Sequence, residues 1–197
     1  VDVGITHLRQ AVDGSNRLVG IEPKDTAFQE DLALYSTQLA HWLRVSGDHA
    51  AASELANRAL VTFERLTTQD PGNAGWQREL AEAWIEQAEQ ARTIRRLDIA
   101  RKQAQLAVAI LEPQLAQHPD DRATVLAAIG ARLLLAGVAS DAGAAMTLRE
   151  QALQTMLAQS AGRNDPRLLA LHVEALLALG RRPEAAARLP ALWKTRY

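Results

Sequence analysis

Four glutamates fall at steps of three, four and three: Glu79, Glu82, Glu86 and Glu89. On a helix those steps set all four carboxylates on one face. Like charges so spaced repel by roughly 0.2–0.5 kcal/mol per pair, so local stability does not favour them. Two readings stand. Glu82, Glu86 and Glu89 form an acidic strip that takes a basic partner segment, or the face is solvated and partly paired with Arg78, Arg92 or a neighbouring helix. A basic cluster follows at once: Arg92, Arg95, Arg96, Arg101 and Lys102, opposed by Asp98 alone. It spans a predicted turn between helices. It is either a docking point for an acidic peptide, a phosphate or another domain, or a polar loop in which Arg95-Arg96 replaces a Gly-Asp turn found earlier in the chain. Arg181, Arg182, Arg188, Lys194 and Arg196 near the end admit the same two readings.

Catalytic chemistry finds little support. The chain has no Gly-x4-Gly-Lys-Ser/Thr phosphate loop, no Gly-x-Gly-x-x-Gly and no His-Glu-x-x-His. The five histidines are scattered, and none lies four residues from another, so no helical metal pair is expected. No Ser sits in a Gly-x-Ser-x-Gly elbow. Cys is absent, which removes disulfides, thiolate metal sites and a Cys nucleophile. The expectation is a non-enzymatic chain with no cofactor and no metal.

The elements that would position these charges come from a repeat. Pro23, Pro71 and Pro119 are spaced by 48, and Pro166 follows 47 later. Glu22-Pro23-Lys24-Asp25-Thr26-Ala27-Phe28-Gln29 aligns with Asp70-Pro71-Gly72-Asn73-Ala74-Gly75-Trp76-Gln77. Ala40 matches Ala88 and Ala136. Ala52, Ala56 and Ala59 match Ala100, Ala104 and Ala107. Gly47 and Gly143 lie two periods apart. Within each period apolar residues recur at helical steps on two segments: Phe28, Leu32, Tyr35 and Leu39, then Leu55, Ala59, Leu60 and Phe63. Gly47-Asp48 marks the turn between them. Asp25, Asn73, Asp120 or Asp121, and Asp165 are candidate N-caps. The predicted helices are 26–45, 49–68, 74–92, 97–117, 121–139, 143–158, 166–179 and 183–194. Pro113 is expected to kink the 97–117 helix or end it at Glu112. Residues 2–20 fit the second helix of an earlier period, with Ala11 and Val12 placed 48 before Ala59 and Leu60. The chain therefore starts mid-repeat and is expected to be a fragment of a longer protein.

Composition agrees with close helix packing. The 197 residues are 48% hydrophobic but only 4% aromatic, and about one in five is Ala. Formal charge is −1, which argues against a dedicated nucleic-acid binder. The basic clusters also lack interleaved aromatics. No apolar run approaches the ~20 residues of a membrane span. Trp76 takes the place of Phe28 in the repeat and is expected to pack, as is Trp84. Trp42 and Trp193 do not recur.

The chain resembles tetratricopeptide (TPR) repeat proteins. Trp84-x2-Gln87-Ala88-x2-Ala91 keeps the Trp and a small residue at the Gly position of that pattern, and Ala100-x3-Ala104 keeps a small residue of the second helix. The last pair offers Leu169-x2-His172-Val173-x2-Leu176, then Gly180 and Ala185-x3-Leu189. The departure is length, 48 residues where TPRs average about 34. The segment from Asp70 to Leu80 looks like the degenerate TPR arrays of large proteobacterial signalling proteins. There the array follows a kinase, winged-helix or nucleotide-switch domain. The resemblance implies an all-α, right-handed superhelical solenoid of antiparallel helix pairs: about four pairs plus an unpaired N-terminal helix. As one domain it comprises residues 2–20, long repeats at 23–70, 71–118 and 119–165, and a short terminal pair at 166–197. It implies a protein- or peptide-binding scaffold in a bacterial signalling or regulatory protein, cytoplasmic or periplasmic, whose partner is another protein, another domain or a second copy. Glu82, Glu86, Glu89, Arg92, Arg95 and Arg96 are the candidate contacts. The alternatives are an oligomerisation or spacer element, and a small-molecule sensor region.

Overall fold

The structure is a computed structural model that describes residues 2–159 and 165–195. Among these residues there are nine helices and no strand. They are α1 (Asp2–Ile21), α2 (Thr26–Ser46), α3 (His49–Gln69), α4 (Ala74–Thr93), α5 (Leu97–Gln117), α6 (Arg122–Val138), α7 (Ala142–Gln159), α8 (Pro166–Ala178) and α9 (Arg182–Lys194). The chain divides into two compact units, Val1–Ile110 and Leu111–Tyr197, and α5 runs across the division.

Each first helix of a pair starts where a short polar side chain satisfies its free amides. Asp25 accepts from the Ala27 and Phe28 N–H groups at 2.8 and 3.2 Å. Asn73 accepts from Trp76 at 3.0 Å, Asp121 from Thr124 at 3.2 Å and Asp165 from Arg167 at 2.9 Å. Each cap contributes about 1 kcal/mol. Of Asp120 and Asp121, the cap is Asp121.

Three of the four hairpin turns share one hydrogen-bond pattern. Gly47 N–H donates to the Arg44 carbonyl at 3.1 Å and Asp48 N–H to Leu43 at 2.8 Å. Arg95 and Arg96 repeat this on Arg92 and Ala91 at 3.0 and 2.8 Å, and Gly180 and Arg181 repeat it on Leu177 and Leu176 at 3.0 and 2.8 Å. The first residue of each turn is left-handed, with φ of 96° at Gly47, 60° at Arg95 and 73° at Gly180. Glycine adopts that conformation freely, whereas a side chain costs about 1–2 kcal/mol.

Four residues into each second helix stands an alanine: Ala52, Ala100, Ala145 and Ala185. Each is buried, and each donates its N–H to the residue four back, at 3.1, 3.0, 3.1 and 3.1 Å. In unit 1, Val12 of α1 joins Leu39 and Leu43 of α2 and Leu55 of α3 in one cluster. Phe63, Leu66 and Leu80 form a second with Trp76 and Trp84 packed against it. In unit 2, Val125, Ile129 and Met156 pack with Leu168, while Leu153, Val173 and Leu176 meet Ala185.

One alternative left by the sequence is closed and one expectation needs correction. Helix α5 does not end at Glu112 but continues through Pro113 to Gln117. The missing N–H leaves the Ala109 carbonyl without its helical donor, and the division between units falls within a turn of that point. Gly143 is not the counterpart of Gly47: it lies inside the first turn of α7, whereas Gly47 terminates α2. The cause is length, because α6 has 17 residues and α2 has 21. The second half of the third repeat thereby shifts by three, so Ala145 and Met156 take the places that a strict period gives to Leu148 and Gln159.

Candidate binding surface

The polar centre of unit 1 lies where the ends of α2 and α4 meet. Arg44 forks onto Glu86, with Nε to Oε1 at 2.8 Å and an Nη2 donation to Oε2 at 3.2 Å. Gln90 Nε2 donates to Glu86 Oε1 at 3.1 Å. Glu86 is only 4% exposed. A carboxylate taken from water in this way needs a cation and filled acceptor sites, and Arg44 with Gln90 supplies both. Burial pushes the Glu86 carboxyl up, but hydrogen bonds from His41 and Arg44 and their charges outweigh burial and hold it below its usual value. Burial likewise lowers Arg44, and the bond to Glu86 with the charges of Glu86 and Glu89 raises it further than burial lowers it.

His41 Nδ1 stands 3.2 Å from Arg44 Nη2 and 3.5 Å from Glu86 Oε2. One ring nitrogen either accepts from Arg44 or, when protonated, donates to Glu86; it cannot do both. The ring meets Trp42 edge-on, with centroids 5.3 Å apart. Outward from the pair the charges continue. Arg44 lies 3.8 Å from Glu89, and Glu89 accepts from Arg92 at 2.6 and 2.9 Å. Arg78 holds Glu79 at 2.9 Å and reaches Glu82 at 3.9 Å.

The six sequence candidates therefore sit in different surroundings. Glu86 faces inward, and its carboxylate is occupied by α2. Glu82 and Glu89 lie on the rim, each beside an arginine of its own helix. Arg92, Arg95 and Arg96 are exposed at the α4–α5 turn. The structure joins Glu86, Glu89 and Arg92 through Arg44, and leaves Arg95 and Arg96 beyond that chain. Sequence reasoning missed Arg44 and His41. Their only signal was a spacing of three on one helix, and their partner Glu86 stands 42 residues from Arg44.

Unit 2 contains a different arrangement. Arg132 forks onto Glu112 at 2.6 and 2.6 Å and donates to Thr155 at 2.7 Å. It lines an open cleft of 690 Å³ with Glu150, Gln154 and Arg181. Arg122 pairs with the buried Asp165. His172 is buried on α8. Burial first, then the positive charges of Arg188 and Arg181, hold its pKa below the usual value. Trp193 is exposed, and Arg196 lies outside the described residues. Among the described residues no three His, Asp or Glu side chains are grouped to hold a metal ion, and no helix is long and apolar enough to cross a membrane.

The chain matches no protein-family model and no curated protein. Among solved structures it is similar to the crystal structure of BtubC (BKLC) from P. vanneervenii. The two are 18% identical with a TM-score of 0.45, and the match covers 98% of this chain and 89% of that one.

Proposed function

We propose that this chain is a TPR-like repeat domain that serves as a non-catalytic scaffold for a protein or peptide partner within a larger bacterial signalling or regulatory protein. The observation that carries the reading is the locked Arg44–Glu86 pair with His41 and the charged Glu82, Glu89 and Arg92 at its lip. A rigid interior pair costs nothing further to order when a partner arrives, and charges already held in place favour specificity and fast association. The test is titration of a labelled Lys-rich peptide against the chain and against Glu82→Lys, which alters the rim and leaves Glu86 in place. Weaker, salt-sensitive binding by the variant at unchanged helical content supports the reading. Equal affinity removes the α4 rim as the contact.

A second reading is self-association. α1 exposes Val3, Leu18 and Ile21, while the α3 position matching Leu18 is the buried Leu66. Light scattering across micromolar concentrations decides it. A constant monomer mass rejects oligomerisation.

A further inference from the structure

We infer that the α4–α5 turn is a docking surface for an acidic peptide segment that also carries apolar side chains. The inference rests on the reading of the chain as a binding scaffold but uses a surface separate from the Arg44–Glu86 pair. Residues 92–102 contain five cations and one acid, in a chain of net charge −1. Arg92 and Arg101 are engaged by Glu89 and Asp98. Among the described residues, Arg95 and Arg96 make no ion pair. On either side of them in the chain stand apolar side chains that folding leaves in water: Ile94 is 57% exposed and Leu97 47%, and Ile99 is exposed as well. Lys102 lies one turn further along α5, on the same side as Ile99.

This turn is also built against its own stability. The two turns with the same hydrogen bonds place glycine in the left-handed position, Gly47 and Gly180, and here it is Arg95. The next residue is Asp48 in the first turn, where its carboxylate caps α3 by accepting from Ala51. Here that residue is Arg96, a cation at the positive end of α5. A side chain held in a costly conformation, a lost cap and exposed aliphatics coincide at one turn. Charge complementarity names the occupant. Carboxylates would meet Arg95, Arg96 and Lys102, and aliphatic side chains would cover Ile94, Leu97 and Ile99.

The experiment is fluorescence anisotropy on the whole chain with three probes. They are an acidic peptide with Leu at helical spacing, the same peptide with Lys for every acid, and a single-stranded oligonucleotide. The expected result is binding of the acidic peptide that weakens with salt. Arg95→Glu with Arg96→Glu should weaken it by roughly tenfold or more, and Leu97→Ser by a smaller factor. Arg95→Gly separates binding from folding: it should raise Tm and still weaken the acidic peptide. Binding of the Lys peptide alone overturns this inference while the scaffold reading stands. Failure of both peptides removes both. An oligonucleotide bound as tightly as the acidic peptide, with Leu97→Ser silent, marks a bare polyanion patch and overturns the proposal. So does an acidic peptide indifferent to Arg95 and Arg96.

Discussion

Helices α4 and α6 hold the same place in successive repeats, with caps Asn73 and Asp121 spaced by 48, yet they bury opposite chemistry. α4 buries Glu79, Glu86, Gln87 and Gln90 beside its alanines. α6 buries Val125, Ile129, Leu133, Leu134 and Val138, and its one buried charge is Arg132. In α6 the buried surface is mostly apolar, with Arg132 bonded to Glu112 and Thr155. In α4 the buried polar groups form a layer, with Glu86 at its centre. Buried ion pairs are weak contributors to net stability but are costly to break. Here the pair joins α2 to α4.

The sharpest way to break this comparison is to strip each unit of its arginine. Arg44→Met leaves Glu86 charged and buried, and should cost about 3–5 kcal/mol. Arg132→Met leaves Glu112, whose side chain is 41% exposed and can be solvated, so it should cost about 1–2 kcal/mol. Urea unfolding reads both. With Trp193 replaced by Phe, Trp42, Trp76 and Trp84 report unit 1, and circular dichroism reports the whole. The double variant Arg44→Met with Glu86→Leu should recover most of the loss. Equal costs for the two arginine variants would show that the units do not differ in this way.

A smaller effect is expected at the turns. Gly47→Arg should lower the stability of unit 1 by about 1–2 kcal/mol, and Arg95→Gly should raise it by about 0.5–1 kcal/mol. If Arg95→Gly leaves Tm unchanged, the left-handed turn carries no strain.

The smallest contrast is in pH. His172 in unit 2 is held below its ordinary value of 6.5. The unfolded chain therefore takes up a proton before the folded one does. Stability that is complete above 6.5 declines as pH falls below it. Glu86 in unit 1 is held below 4.5, so its contribution is present above 4.5 and is lost as pH falls through the folded value. Between 6.5 and 4.5 the circular dichroism midpoint should fall while the tryptophan midpoint is unmoved by these two groups, and His172→Gln should flatten the decline. Parallel curves for both signals would contradict the assignment.

Much of the architecture was legible because it is written in local chemistry. Asp25, Asn73 and Asp165 announce helix starts through amides two or three residues away, and the recurring alanines mark the packed stripe. The register slip in the third repeat was not legible, since Gly143 mimics a turn glycine and only the length of α6 reveals otherwise. The continuation of α5 through Pro113 was open, because sequence weighs a lost hydrogen bond but not the packing of Leu111 and Leu115 around it. Of the candidate site, the α4 face was visible as a spacing of acids. Its buried members, Glu79 and Glu86, could not be told from its rim members by periodicity. Glu79 is met by Arg78 of its own helix, but Glu86 is met by Arg44 from another, and spacing along one helix says nothing about that.

The alanine four residues into every second helix has a consequence for how such a chain can change. Alanine has no rotamers, so the joint between paired helices neither loses side-chain entropy on closing nor adjusts by repacking. Enlarging Ala52, which packs with Leu39 and Leu43 of α2, or Ala185, which packs with Val173 and Leu176 of α8, would push those paired helices apart. Copies of the hairpin can therefore diverge in surface chemistry, and even in helix length as α6 does against α2, while the alanine at the joint is kept.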